Sequence, residues 1–381
     1  MAEVYRPADA ESLAECVAAG VEARRPMAIR GAGTSRLSID ADAILDLTAH
    51  RGVIDYDPEE LVVSVRSGTP LAEVEALLAE RRQMLAFDPV DPMTIGRGAP
   101  GGITIGGVVA SGNEGPRRVS AGAARDHLLG FTAVSGRGDH FKAGGRVVKN
   151  VTGFDLAKLF TGSWGTLGVF DAVTLRVLPL PRFEATLVVS CDCRQGGALM
   201  AAALRHAATV SCAAWHDGRA LLRLEGFRPS VDARFDQLVQ TLGCPAAERA
   251  DAGDSAALWD AVRTVAPIAA ADALWRASLP ATNGAAFAEP FVAEGATALL
   301  DWGGARVWLG AADKEDAGAG IVHDRAATLG GHARLARASP AVRKLAAPPS
   351  PDAVTAKLHA RLRDAFDPHH LLNPGLDPWE R

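Results

Sequence analysis

Apolar positions along the first 181 residues switch repeatedly between helical and extended spacing. Leu13, Cys16, Val17 and Val21 recur at three- and four-residue intervals, which predicts a helix over 10–24. Residues 27–30 (MAIR) predict a short strand ending in the turn GAGTS, and AILDL (43–47) predicts another. GVIDYDPEELVVSVRSG predicts two strands around a DPEE turn. Thr69 and Pro70 open a helix with Leu71, Val74, Leu77 and Leu78 on one face, since proline is tolerated in a first helical turn. FTAVS and HFKAG form a hairpin around GRGD, read as an ordinary turn. FDLAKLF (154–160) is a short helix, and GVFDAVTLRVLPLP is a strand stopped by prolines.

From 183 to about 332 the texture changes. Strand patterns (EATLVVS, RALLRLEG, ADALWRASL, ATALLDW, RVWLG) alternate with helical ones (GALMAAALRHA, VDARFDQLVQTL, SAALWDAVRTV and 314–328). This predicts an α+β fold with one antiparallel sheet and helices on one face. Gly303-Gly304 reads as a tight hairpin turn. A linker, APPSP (347–351), leads to a last helix with Val354, Leu358 and Leu362 in one stripe. The expected division is 1–181, 182–346 as an α+β cap, and 347–381 returning to the first domain.

With 381 residues the chain has room for two or three domains, and its net charge of −5 offers no basic footprint for nucleic acid. Its five cysteines are odd in number and include no C-x-x-C pair; Cys191 and Cys193 are read as ordinary residues at a strand end rather than a metal or redox site. The polar, acidic start MAEVYRPADAES argues against a signal peptide, and no apolar run approaches the ~20 residues of a membrane span. A cytoplasmic setting is expected, at most peripheral at the inner face of the cell membrane through a complex.

The stretch GGITIGGVVASGNEG (101–115) holds six glycines in fifteen positions. Glycine inside an element costs roughly 0.5–1 kcal/mol relative to alanine, so this backbone must go where a Cβ cannot. The ITIGGVV portion reads as β-like. Gly96 to Gly101 spells G-x-G-x-x-G, but a proline interrupts it and no helix pattern follows, so it is a poor dinucleotide fingerprint. Gly31-Ala32-Gly33-Thr34-Ser35 follows a strand and reads equally well as a simple turn or as a loop receiving phosphate oxygens. Neither a Walker sequence nor H-E-x-x-H is present, and Ser163 in TGSWG is not a nucleophile elbow. His369-His370 is read as surface or packing, so no metal site is expected.

The order of the pieces is more specific than any one of them. An RGAGTS turn is followed by PGGITIGG, SGNEGPRR, RDHLLG, GGRVVKNVTGFDLAKLFTGSWGTLGVF and a late LLNPG. This resembles the flavin-binding domain of the vanillyl-alcohol oxidase (PCMH-type) family, over residues 1–181 and the last thirty. GPRR before RDHLLG, and KNVTGFDLAKLF, narrow the resemblance to the FAD-binding subunits of bacterial glycolate oxidases.

The resemblance implies non-covalent FAD, since the glycine-rich loop has no histidine or cysteine suited to covalent attachment. It places Arg30, Gly31, Gly33, Thr34 and Ser35 on one side of the pyrophosphate, and Gly101, Thr104, Ile105, Gly106 and Gly107 on the adenosine side. Ser111, Asn113 and Gly115 would approach the flavin end. The strand after Gly165 would offer the backbone of Val169 to adenine, and Asn373 would lie near the isoalloxazine ring. The implied partners are a homologous catalytic flavoprotein subunit and an iron–sulfur subunit of a glycolate oxidase complex, with a 2-hydroxy acid as substrate. The implied role is in glyoxylate metabolism.

Catalytic 2-hydroxy-acid dehydrogenases of the family carry H-x-G-D-G-N-x-H in the cap. Here Trp215-His216-Asp217-Gly218 is the nearest fragment, so no catalytic residue is assigned. Arg219, Arg223, Arg276 and Arg306 are the cap cations available for a substrate carboxylate. Two readings follow: an FAD-binding subunit supporting glycolate oxidation in a complex, or a self-sufficient FAD oxidoreductase for another 2-hydroxy acid or alcohol. A third, a scaffold that has lost flavin, fits poorly with the intact glycine-rich loops.

Overall fold

The computed structural model describes residues 2–34, 39–90, 95, 102–146, 154–206, 210–347, 349 and 351–376. Strands β1 (Glu3–Tyr5), β2 (Met27–Arg30) and β3 (Ala43–Asp46) form a parallel sheet in the order β1-β3-β2. Helix α1 (Ala10–Glu22) covers it with Leu13 and Val17, and starts where the Asp9 carboxylate accepts the Ser12 N–H at 2.8 Å.

Next come β4 (Val53–Asp57), β5 (Val62–Arg66), β6 (Gln83–Met84), β7 (Leu128–Ser135), β8 (His140–Gly144), β9 (Gly168–Arg176) and β10 (Leu178–Pro179). All but the small β6–β10 pair form an antiparallel sheet, β4-β5-β9-β7-β8. Side chains alternate across it. Val63, Val65, Phe131 and Val173 pack against α2 (Leu71–Glu80), α3 (Ile105–Ser111) and, beyond the short α4 (Arg118–Ala121) and α5 (Ala124–His127), α6 (Leu156–Phe160). Val134 and Val169 point the other way, against Leu13, Val17 and Leu45 of the parallel sheet layer.

The remaining strands are β11 (Phe183–Ser190), β12 (Cys212–His216), β13 (Arg219–Gly226), β14 (Glu248–Asp251), β15 (Ala273–Ser278), β16 (Ala298–Asp301), β17 (Arg306–Ala311) and β18 (His332–Arg337). They make one antiparallel sheet ordered β14-β11-β13-β12-β16-β17-β15-β18. The helices are α7 (Cys193–Arg205), α8 (Arg228–Leu242), α9 (Ala252–Thr264), α10 (Gly284–Ala293), α11 (Ala319–Thr328), α12 (Pro340–Leu345) and α13 (Ala353–Phe366). Leu187, Leu222 and Trp275 bury one face under Met200, Phe235, Phe287 and Val322 of α7, α8, α10 and α11.

Helices do not all lie on that face, contrary to the sequence expectation: α9 brings Trp259 and Val262 to the other one, against Leu221, Leu274 and Leu299. A second departure is α3, where ITIGGVV had read as extended. Thr104 caps it by accepting the Gly107 N–H at 3.2 Å, and its first amides find carbonyls in a neighbouring turn, so tertiary partners override weak local preference. On α13, Val354 is 69% and Leu358 52% exposed. After α13 the chain returns beside β2: Met27 donates its N–H to Leu371 O at 2.7 Å, and Asn373 donates to Met27 O at 2.8 Å.

Candidate functional site

Two glycine-rich segments about seventy residues apart meet at the end of β2. A Cβ on Gly31 would overlap Thr104 Oγ1, so the turn after β2 presses against the cap of α3. Thr34 ends the described part of that turn, and Gly33 sits in it against the Arg30 stem. The Arg30 guanidinium is held by Asp46 at 2.9 Å. Ser35 and Gly101 lie outside the described residues.

Helix α3 is pinned at both ends by main chain. Ile105 and Gly106 donate to Thr69 O and Ser67 O, each at 2.8 Å. A Cβ on Gly106 would come within 2.7 Å of Ser67, so this glycine is required by a close backbone approach. A Cβ on Gly107 would meet Thr104 Oγ1 at 3.2 Å and Ile103 at 3.4 Å. At the far end, Gly162 and Trp164 donate to Val109 O (3.1 Å) and Ala110 O (2.7 Å). Ser111 Oγ donates to Gly107 O at 2.7 Å. Asn113 reads the backbone of Val90, accepting its N–H at 3.0 Å and donating to its carbonyl at 2.7 Å. Gly115 donates to Phe87 O at 2.8 Å, and a Cβ there would overlap the Asp88 carbonyl.

A third convergence joins Gly165 and Asn373. Gly165, at φ +74°, leaves 3.0 Å between its absent Cβ and Asn373 Nδ2. The Asn373 amide accepts the Ile29 N–H at 2.7 Å and donates to Trp164 O at 2.6 Å, stapling β2 to the TGSWG turn. Val169 is buried on β9, and its backbone extends past the end of the β5 ladder at Arg66↔Ala172. The structure therefore brings Gly31 to Thr104 and Gly165 to Asn373, around α3. The buried hydroxyls of Ser67 and Ser163 have no hydrogen-bond partner among the described residues. Glycines at close backbone approaches together with these spare buried hydroxyls suit a long, phosphate-bearing cofactor, so these residues fit FAD.

The large sheet presents a polar row toward this region. Directly opposed residues run His216, Leu299, Trp308, Arg276, Arg334 across β12, β16, β17, β15 and β18. Two residues along β17 from Trp308, Arg306 pairs with buried Asp301, donates to Glu114 O at 2.8 Å and stacks 4.0 Å from the Trp302 ring centre. Trp302 Nε1 donates to Gly115 O at 2.8 Å, and Arg118 covers its other ring contact at 4.4 Å. Segment 114–118 is thus clamped to the eight-stranded sheet. Arg117 extends the clamp to Glu225 at 2.8 Å and Asp88 at 3.3 Å. It lines a cleft of about 300 Å³ with Glu184, Arg223, Trp259 and Arg263.

Of the four arginines expected for a substrate carboxylate, Arg223 is spent on Glu225 at 3.6 Å and Glu184 at 3.8 Å, and Arg306 on Asp301. Arg219 sits opposite His216 at the sheet end. Arg276 differs: no ion pair or hydrogen bond engages its guanidinium among the described residues. Burial, then neighbouring Arg334 and Arg306, push its pKa well below the ordinary arginine range. Both His216 ring nitrogens and Trp308 Nε1 are likewise buried without partners, and burial lowers the His216 pKa. Sequence reading missed Arg334, Trp308 and Glu114. The available signal was polar residues two apart in otherwise apolar strands, Arg306/Trp308 and His332/Arg334. Among the described residues, no group of three His, Cys, Asp or Glu side chains is placed to hold a metal.

Residues 1–144 match the FAD binding domain family model. The chain is 32% identical over 372 residues to glycolate oxidase subunit GlcE of Escherichia coli, covering 96% of both proteins. D-lactate dehydrogenase of Anaerostipes hadrus is 33% identical over 183 residues, 47% of this chain and 37% of that one. Glycolate oxidase subunit GlcD of Bacillus subtilis is 28% identical over 189 residues, 49% of this chain and 38% of that one. Among solved structures, alkyldihydroxyacetonephosphate synthase superposes with a TM-score of 0.71 at 14% identity, over 98% of this chain and 76% of that one, which speaks to fold alone. By its near full-length match to the E. coli subunit, this chain belongs to the glycolate oxidase E-subunit family of PCMH-type, FAD-dependent flavoproteins.

Proposed function

We propose that the chain is the FAD-binding subunit of a glycolate oxidase complex, supporting oxidation of glycolate to glyoxylate with electrons passed to an iron–sulfur subunit. The observation that carries this is the alignment at 32% identity over 96% of both lengths. Bound FAD supplies the two-electron acceptor for such chemistry. Residues 1–181 form the flavin domain, with Gly31, Gly33 and Thr34 on one side of the pyrophosphate, Thr104, Ile105, Gly106 and Gly107 on the adenosine side, the strand after Gly165 offering Val169 to adenine, and Ser111, Asn113, Gly115 and Asn373 toward the flavin ring. Residues 182–346 form the cap and 347–381 close back onto the flavin domain. The partners are a homologous catalytic flavoprotein and the iron–sulfur subunit, in the cytoplasm. No helix among the described residues is long and apolar enough to cross a membrane.

Arg276, half-buried with no hydrogen-bonded carboxylate among the described residues, would receive the carboxylate of a 2-hydroxy acid. That same residue favours a second reading, a self-sufficient oxidoreductase, because it gives this chain an anion site of its own. Assaying glycolate with an artificial acceptor separates the two. The complex reading expects turnover only with all subunits; ready turnover by the isolated chain supports the second.

A further inference from the structure

We propose that the buried His50–Asp171 pair is a positioning device for the flavin crevice, fixing the turn on which α3 is seated and so setting FAD affinity. This rests on the FAD reading above.

The chain of contacts begins with a bulge. On β7, Thr132 and Ala133 face Ala172 and Phe170 of β9, so Asp171 is an extra residue in the ladder. Bulges re-aim side chains, and here the Asp171 carboxylate is turned onto three donors. His50 Nε2 donates to Oδ1 at 2.7 Å, Thr132 Oγ1 to Oδ2 at 2.5 Å, and His140 Nε2 lies 3.3 Å from Oδ2. His50 is fully buried, and its Nε2 also lies 3.0 Å from the Asp171 carbonyl. Both groups facing Nε2 are acceptors, so Nε2 carries the proton.

The same two residues grip the 66–69 turn by main chain. Ser67 donates to Asp171 O at 2.9 Å, and Gly68 donates to His50 O at 2.9 Å. A Cβ on Gly68 would overlap the Leu47 carbonyl, so the turn has no slack beneath it. Its outward carbonyls, Ser67 O and Thr69 O, receive the Gly106 and Ile105 amides at the start of α3, each at 2.8 Å. Two packed hydrogen-bonded layers therefore connect His50 to the helix that, with Gly31, shapes the crevice. A displaced turn moves Thr104 against Gly31.

The test is FAD affinity of apo-protein, read by quenching of flavin fluorescence, in wild type, His50→Leu, His50→Gln and Ser64→Ala. Gln can donate to Asp171 from a position near Nε2. Ser64 Oγ bonds Thr174 Oγ1 at 2.9 Å in the same sheet and is the structural control. His50→Leu should bind FAD at least tenfold more weakly, while His50→Gln and Ser64→Ala stay within threefold of wild type. If His50→Leu does not fold, Thr132→Val replaces it, with a loss exceeding that of Ser64→Ala expected. His50→Leu within twofold of wild type, or Ser64→Ala or His50→Gln as weak as His50→Leu, overturns the proposal while the FAD reading stands. A wild-type chain that takes up no FAD overturns both.

Discussion

Arg276 and Asn373 show how differently single polar residues are engaged in the proposed site. Arg276 is half-buried, with the like charges of Arg334 and Arg306 beside it and Glu114 as a partial counter-charge, so a second anion would be well received there. Arg276→Met should leave FAD content unchanged yet raise the KM for glycolate of the assembled complex at least tenfold, with kcat less affected, the signature of lost substrate binding. Equal KM values in the two proteins would remove Arg276 from the substrate path. Asn373 acts within the protein, satisfying Ile29 N–H and Trp164 O. Asn373→Ala strands both groups and should cost about 2–4 kcal/mol, measurable as a lower urea midpoint. An unchanged midpoint would show that water replaces the amide without loss.

Among the elements, α3 carries most of the lesson about what local sequence conveys. Its glycines and β-branched residues read as strand, because the carbonyls that hold it belong to Ser67 and Thr69, nearly forty positions upstream. By contrast α1, α2 and the β7–β8 hairpin are specified by their own periodicity and turns, and they form where expected. A Cβ at Gly107 would crowd the Thr104 cap at 3.2 Å, whereas Gly253 has open space. Gly107→Val should abolish flavin retention and Gly253→Val should not; equal flavin content in both would misplace the crevice.

The five-stranded sheet carries a pH dependence of its own. Burial pushes the Asp171 carboxyl up, but the bonds from His50, Thr132 and His140 outweigh it and hold the pKa at about 2. A carboxyl depressed on folding stabilises above its unfolded pKa and loses that contribution as pH falls through the folded value. Stability of about 2 kcal/mol should therefore fade between about pH 4 and pH 2. Asp171→Asn should flatten that part of the acid-unfolding curve; an unaltered curve would assign acid sensitivity elsewhere.

At the scale of the molecule, residues 1–181 were legible through the order of their glycine-rich motifs and turns, although the conformation of 103–109 was not, because its partners are distant in sequence. The cap was legible as an antiparallel α+β layer but not as a site. The row His216, Trp308, Arg276, Arg334 exists only once β12, β17, β15 and β18 are neighbours in space, and that order is not written in any one strand. Nor could sequence show that Arg306 and Trp302 clamp Glu114 and Gly115, which ties the eight-stranded sheet to the segment after α3. The family resemblance supplied what local physics could not, the identity of the cofactor, and the FAD binding domain family model matching residues 1–144 agrees with it.

The central claim is that this chain holds FAD within a glycolate-oxidising complex and is not the whole catalyst. The most direct measurement is glycolate-dependent reduction of an artificial acceptor, made side by side on the tagged complex isolated from its own cells and on the FAD-loaded chain alone. The account predicts turnover by the complex, which should contain acid-releasable FAD, a second flavoprotein and an iron–sulfur protein, and negligible turnover by the chain. Turnover by the chain alone at about 1 s⁻¹, the low end of ordinary enzymes, would contradict it.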